Sequence, residues 1–487
     1  MVRTAQTIAV LAVPSSTGDP MTSPHVRTYA KIRKLLRAAP YLALVACLAM
    51  GSTLARAETK SVAEEILDLL KANGQIGEEQ YEALTQKARE ENARRSEQPL
   101  PATAHAASAG PEEYKVYWDN SLHINRNDKQ VQLQIGGRIL NDWAVFDTDS
   151  RIKSGFGNPD SGTEIRRARL YFSGTLYERV IFKAQYDFVG GDVDFNDVYI
   201  GLTNLPYVGT FKVGHFKEPF SLDNMTSSKY ITFMERSLSH IFIPGRNVGF
   251  GIGKPEFDKR MTWAAAVFRE TDDFGKGIGT DGSWHLTGRV TGLPVYEENG
   301  SRLVHLGASY SHQFRHDSDI RYRQRPAAHL APIIWDTLPL SADDVDLIGT
   351  ELAVIHGPFS FQSEYMHSFS DTSMGDRDFW GIYGQASFFL TGEHRNYSTK
   401  SGAFTRLSPS KNFNPSEGTW GAFELAARYS HLDLTDGAVR GGVGNEVTAG
   451  LNWYLFPALR WTGNYLWARR ANFGDINGWE MRFQLEF

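Results

Sequence analysis

Apolar and polar residues alternate strictly over much of this chain, most clearly at its end. Trp479, Met481, Phe483, Leu485 and Phe487 share one side of an extended segment, and Glu480, Arg482, Gln484 and Glu486 share the other. A period of two is that of a β-strand with one greasy face and one wet face. Leu459, Trp461, Gly463, Tyr465 and Trp467 alternate in the same way with Arg460, Thr462 and Asn464. Val447, Ala449, Leu451, Trp453 and Leu455 alternate with Thr448, Asn452 and Tyr454. Sixteen such segments follow one another: 131–147, 163–177, 179–189, 194–203, 209–216, 247–254, 260–269, 284–292, 302–314, 345–356, 358–369, 377–391, 417–433, 443–455, 457–469 and 477–487.

An even number of antiparallel strands closes a cylinder with both termini on one side. The connections after even-numbered strands fall at 177–179, 204–209, 255–259, 293–301, 357, 392–416 and 456, and all but 392–416 are short. The other side carries long loops at 217–246 and 315–344. Short turns at one end, long loops at the other and a terminal Phe487 predict a fold. It is an all-β, 16-stranded antiparallel outer-membrane β-barrel with a short N-terminal helical segment. Trp453, Tyr454 and Trp467 suit the interfacial aromatic girdle. Several soluble β-sandwiches would need linkers, and no break in composition follows residue 115.

Upstream the period changes. Lys31, Arg33, Lys34 and Arg37 precede an apolar stretch from Ala38 to Met50, then Ala55-Arg56-Ala57. That is an export signal cleaved before Glu58, with Met1 or Met21 as the start. Leu44-Val45-Ala46-Cys47 fits a lipoprotein box, but apolar residues continue past Cys47 to the conventional cleavage site. Val62, Ile66, Leu69 and Leu70, then Tyr81, Leu84 and Ala88, recur at helical steps around Gly74. These helices pair with a copy, pack under the main domain or form a charged spacer. The expected organisation is signal peptide 1–57, helical or coiled-coil segment 58–95, Ala/Pro-rich linker 96–114 and barrel 115–487.

Composition narrows the function. Of 487 residues, 12% are aromatic and 22% charged, too many aromatics and too balanced a charge for disorder. Outside the export signal there is no apolar run of about 18 residues, which excludes a helical membrane bundle. A mean hydropathy of −0.36 is compatible with a barrel, where only alternate residues face lipid. Cys47 is the only cysteine, so a chain cleaved at Glu58 has no disulfide, Cys-bound metal or Cys nucleophile. Cleavage removes seven Lys or Arg and one Asp from totals of 51 and 56, leaving a net charge of −11. Such an acidic chain suggests no nucleic-acid partner, and any anion chemistry must be local.

If the apolar face meets lipid, the other face lines water. The rule turns Arg167 and Arg169 inward opposite Ala168, Leu170 and Phe172, and Lys183, Gln185 and Asp187 opposite Phe182, Ala184 and Tyr186. Lys212 points inward between Phe211 and Val213, and Glu424 and Arg428 do so beside Phe423, Leu425 and Ala427. Three long connections can fold into the lumen: one with Lys217, Lys229, Arg236 and Arg246, one with Arg315, Arg321, Arg323 and Arg325, and one with Arg395, Lys400, Arg406 and Lys411. Arg offers a planar donor fork to an oxyanion and Lys a compact charge. The alternative for each is an ion pair with a lumen acid. No catalytic or metal site is expected. There is no Gly-x-Ser-x-Gly elbow, Gly277–Gly282 precedes a strand rather than a helix, and His312 and His316 stand about 13 Å apart along a strand.

Ile135-Gly-Gly-Arg138, Arg166-Arg167-Ala168, Lys183-Ala-Gln-Tyr-Asp187 and Val213-Gly-His-Phe-Lys-Glu-Pro-Phe220 resemble stretches of the phosphate- and polyphosphate-selective porin family. So do Thr226–Arg236, Pro244-Gly-Arg-Asn247, Leu390-Thr-Gly-Glu393, Glu424–Tyr429 and Gly450–Tyr454, and the likeness spans 115–487 and includes the short helical segment. The resemblance implies a passive, trimeric anion channel in outer-membrane lipid for inorganic phosphate or polyphosphate, with no cofactor. Arg166, Arg167, Lys229 and Arg236 carry over by motif, while Lys183 lies a pair of residues off its counterpart. The candidate anion-binding set is Arg166, Arg167, Arg169, Lys183, Lys212, Lys229, Arg236, Arg246, Arg321, Arg323 and Arg395. A general diffusion porin with paired charges remains the alternative.

Overall fold

The computed structural model describes residues 71, 77, 80–87 and 113–487, the last without 158, 160 and 279–281. The expected signal peptide, and almost all of the expected linker, lie outside the described residues. Residues 80–87 are helical, with Tyr81 N–H donating to Gly77 O at 2.9 Å. They belong to a unit separate from residues 106–487.

A hairpin, β1 (Tyr114–Trp118) and β2 (Leu122–Arg126), precedes the long strands β3 (Val131–Thr148), β4 (Gly162–Leu176), β5 (Val180–Asp187), β6 (Asp194–Leu205) and β7 (Gly209–Lys217). Then come β8 (Arg246–Glu256), β9 (Met261–Arg269), β10 (Trp284–Glu297), β11 (Arg302–Ile320), β12 (Leu340–His356) and β13 (Phe359–Thr372). The series ends with β14 (Arg377–Phe389), β15 (Ala422–Asp436), β16 (Val439–Phe456), β17 (Leu459–Arg470) and β18 (Gly474–Glu486). From β3 onward every neighbour is antiparallel, and β18 pairs back onto β3 from Glu486↔Arg138 to Ile476↔Thr148. The sixteen alternating segments are therefore the sixteen strands of a closed barrel. The hairpin was not anticipated: β2 pairs with Gln132 to Ile135, the part of β3 that β18 does not reach.

The last strand shows why the chain closes this way. Trp479 and Phe483 are 68% and 49% exposed on the outer face, whereas Arg482, Gln484 and Glu486 are buried inside. In lipid every backbone donor and acceptor needs a partner, and a closed sheet provides one for each. Turns at one end are tight. Gly357 occupies a two-residue turn at φ +54°, a conformation that residues with a Cβ rarely adopt.

One expectation is corrected by the structure. The inner face does not line water throughout, because Val345, Leu347, Met366, Phe379, Leu432 and Leu466 point inward and are buried. Two outer loops fold back between the walls and supply Phe220, Leu238, Phe242, Ala328, Ile334 and Trp335 to the same apolar cluster. Part of the cylinder is thus a packed core, and the free lumen lies beside it.

Candidate functional site

The loop 218–245 is held along one wall by its own backbone groups. Arg460 donates to Ile231 O at 2.9 Å, Asn452 to Thr232 O at 2.9 Å and Arg428 to Glu235 O at 2.9 Å. Arg482 donates to Met234 O. On β13, Glu364 accepts from the N–H groups of Leu222 and Asp223, both at 2.9 Å. At the start of the loop, Glu218 accepts from Asn247 and Thr287 and bonds His285. The arginines of β15, β17 and β18 therefore serve the loop.

On β4 the ladder slips. Leu140 faces Arg167, but Asn141 faces Ile165, so Arg166 is the extra residue of a bulge. A bulge breaks the alternation, and two consecutive arginines can enter the lumen. Arg166 forks onto Glu235 at 2.9 and 3.2 Å. Burial works against ionisation of Glu235, yet Arg166, Arg482 and Arg167 hold its carboxyl well below the ordinary range. Arg167 is only 7% exposed, and its Nε and Nη1 have no hydrogen-bond partner among the described residues.

The other predicted residues divide by their acids. Arg169 pairs with Asp187 at 2.6 Å. Lys183 and Arg246 share Asp197 at 2.7 and 2.9 Å. Lys229 shares Glu486 with Arg406, at 2.9 and 2.8 Å, and burial pushes its ammonium below the usual lysine range while Glu486 opposes the shift. Arg236 binds Asp223 O and Thr226 O at 3.1 and 3.0 Å. Arg395 donates to Gln362 at 3.0 Å and lies 3.5 Å from the Phe404 ring centre. Lys212 makes no ion pair among the described residues and sits 4.9 Å from the centre of the Tyr199 ring. Arg321 and Arg323 stand apart from this group. They share Asp336 in the outer hairpin of Arg323–Gln324 with Trp335–Asp336, 36% and 49% exposed.

That outer loop does enter the mouth farther along. Ala327 N–H donates to Glu446 at 2.7 Å, and His329 Nδ1 lies 2.8 Å from both oxygens of Glu164. A partly exposed pair of this kind is worth about 1 kcal/mol or less. Glu164→Ala should therefore speed tryptic cleavage after Arg323, in the same loop, by about twofold to fivefold in the folded protein. Unchanged cleavage would show that Glu164 does not hold the loop.

Below the bulge a cavity of about 670 Å³ opens between β6, β7, β8 and β9 and the inner connection 390–421. Its lining includes Lys212, Lys217, Lys254, Lys259, Arg289 and Lys400, and no Asp or Glu. Arg138, Lys217, Arg289 and Arg482 were not among the predicted site residues. Arg482 was legible as an inward position of the last strand, whereas Lys217 stands at a strand end where alternation says little.

The sequence model described as phosphate-selective porin O and P matches residues 133–487. The chain belongs to that family. This porin is also 28% identical over 389 residues to an uncharacterized protein of Caulobacter vibrioides, covering 75% of this chain and 76% of that one. It is 23% identical over 401 residues to Porin O of Pseudomonas aeruginosa, covering 73% and 87% of the two chains. An anion-selective porin from Comamonas acidovorans is similar in structure with a TM-score of 0.48 and 14% identity, over 73% of this chain and all of that one. This porin is thus an outer-membrane β-barrel of a channel-forming family.

Proposed function

We propose that this porin is a passive, anion-selective channel for phosphate-class anions, phosphate or polyphosphate, and that it works as a homotrimer. The observation that carries the reading is a local surplus of cations in an acidic protein. Asp197 and Glu486 are each shared by two cations, and Arg167 and Lys212 have no carboxylate partner among the described residues. The 670 Å³ cavity has Lys212, Lys217, Lys259 and Lys400 in its lining and no Asp or Glu among the described residues, while its Arg289 and Lys254 are paired with Glu351 and Glu256. The names of the family and of Porin O point the same way.

An anion entering past Arg166 and Arg167 would exchange water for guanidinium donors, then pass to Lys212 and the lysines below. Each stop must attract the anion enough to strip part of its hydration and release it to the next. A general diffusion porin would instead need its cations neutralised one for one, and shared acids do not do that. The test is a planar bilayer with a salt gradient. The reversal potential should give chloride over potassium, and inorganic phosphate and pyrophosphate should block the chloride current. Potassium preference would overturn the reading, and chemical crosslinking that stops at monomer would overturn the trimer.

A further inference from the structure

The cavity beside Lys212 has an apolar side that a bare inorganic anion does not use. Tyr199, Phe216, Ala264 and Ala266 line it together with Lys212 and Lys217. Tyr199 and Phe216 meet edge to face at 6.1 Å, and Phe216 meets Phe268 in the same way at 4.9 Å. The hollow exists because its wall carries small residues. A Cβ at Gly251 would stand 3.1 Å from the Phe216 ring and 3.3 Å from Ala266. A fully hydrated ion gains nothing from such a wall and loses hydration against it. Sites for organic molecules have this make-up, with apolar and aromatic walls, a few placed charges and a volume of hundreds of cubic ångströms.

Building on the anion-channel reading, we propose that this cavity selects organic phosphates, a phosphate group carried on an aromatic or short apolar body. The phosphate would sit at Lys212, and the body would lie against Tyr199, Phe216 and the alanines. The amphipathic ligand then meets both the charge and the greasy wall at once.

The test uses the purified full-length porin in planar bilayers and two blockers of chloride current, inorganic phosphate and phenyl phosphate. Phenyl phosphate should half-block at a concentration about tenfold lower, the gain expected from partly burying one ring. Tyr199→Ser and Ala264→Gln should each shrink that gap to about twofold or less. Each variant is first checked for a folded barrel by its heat-dependent gel mobility. If Tyr199→Ser does not fold, Ala264→Gln and the wild-type comparison decide the matter. Equal block by both compounds in the wild type would overturn organic-phosphate selection and leave the anion channel standing. So would a gap that persists in the folded variants. Block by neither compound, with potassium preference, would overturn both.

Discussion

Arg167→Glu is expected to lower the chloride-to-potassium permeability ratio about tenfold or more, and a bilayer reversal potential in a salt gradient reads the change directly. The side chain is nearly buried, and among the described residues its Nε and Nη1 are without partners and no carboxylate in hydrogen-bond contact offsets its charge. Replacing it inverts one charge in a lumen with low-dielectric walls. At an effective dielectric of about 20 and a separation of roughly 6 Å, a single charge alters an ion's energy by about 2 to 3 kcal/mol, more than tenfold in occupancy. Glu235, the nearby acid, remains paired to Arg166 and Arg482, so the variant adds a carboxylate to a network that is already satisfied. Arg167→Lys makes the companion measurement. It keeps the charge and should keep chloride preference, while losing the planar fork and weakening phosphate block. An unchanged reversal potential in Arg167→Glu would place this residue off the ion path.

Arg482→Leu is expected to give the largest loss of stability, about 3–5 kcal/mol, read as a lower denaturant midpoint for the folded band on a gel. Arg482 is fully buried and forks onto Asp142 at 2.7 and 2.6 Å, with Glu235 at 2.8 Å. It also binds the backbone of the lumen loop at Met234. Its removal leaves Asp142 buried without this partner and unpins the loop that folds into the barrel. The variant should therefore show noisier single-channel current as well as a lower midpoint. Arg482→Leu with Asp142→Asn should recover part of the loss, because the stranded charge is then gone. A midpoint within about 0.5 kcal/mol of wild type would show that the barrel alone, and not this network, sets stability.

These two residues also mark where sequence and tertiary structure divide the work. The period of two in Trp479–Phe487 already states that Arg482 faces away from the lipid-facing aromatics, and the same rule turns Arg167, Arg169, Lys183 and Lys212 inward. Alternation is local, since successive side chains on any extended chain point to opposite faces. Strand count, closure and the inward identity of those cations were therefore legible in the sequence before any fold was known. The inward turn of Arg166 was carried over by motif, not by period. It depends on a register slip against β3, a property of two strands rather than one.

What the sequence alone determined is a barrel with sixteen greasy outer stripes and a set of cations on the inner side. Which cations are free was decided by the tertiary structure. Arg428, Arg460 and Arg482 hold loop carbonyls, Arg321 and Arg323 share Asp336 within their own outer loop, and Val345 and Leu347 turn inward against loops that fold back to meet them. The reason is physical. Facing depends on the neighbouring bond geometry in the chain, whereas pairing depends on which acids and carbonyls the closed cylinder and its two infolded loops bring within about 3 Å from distant parts of the sequence.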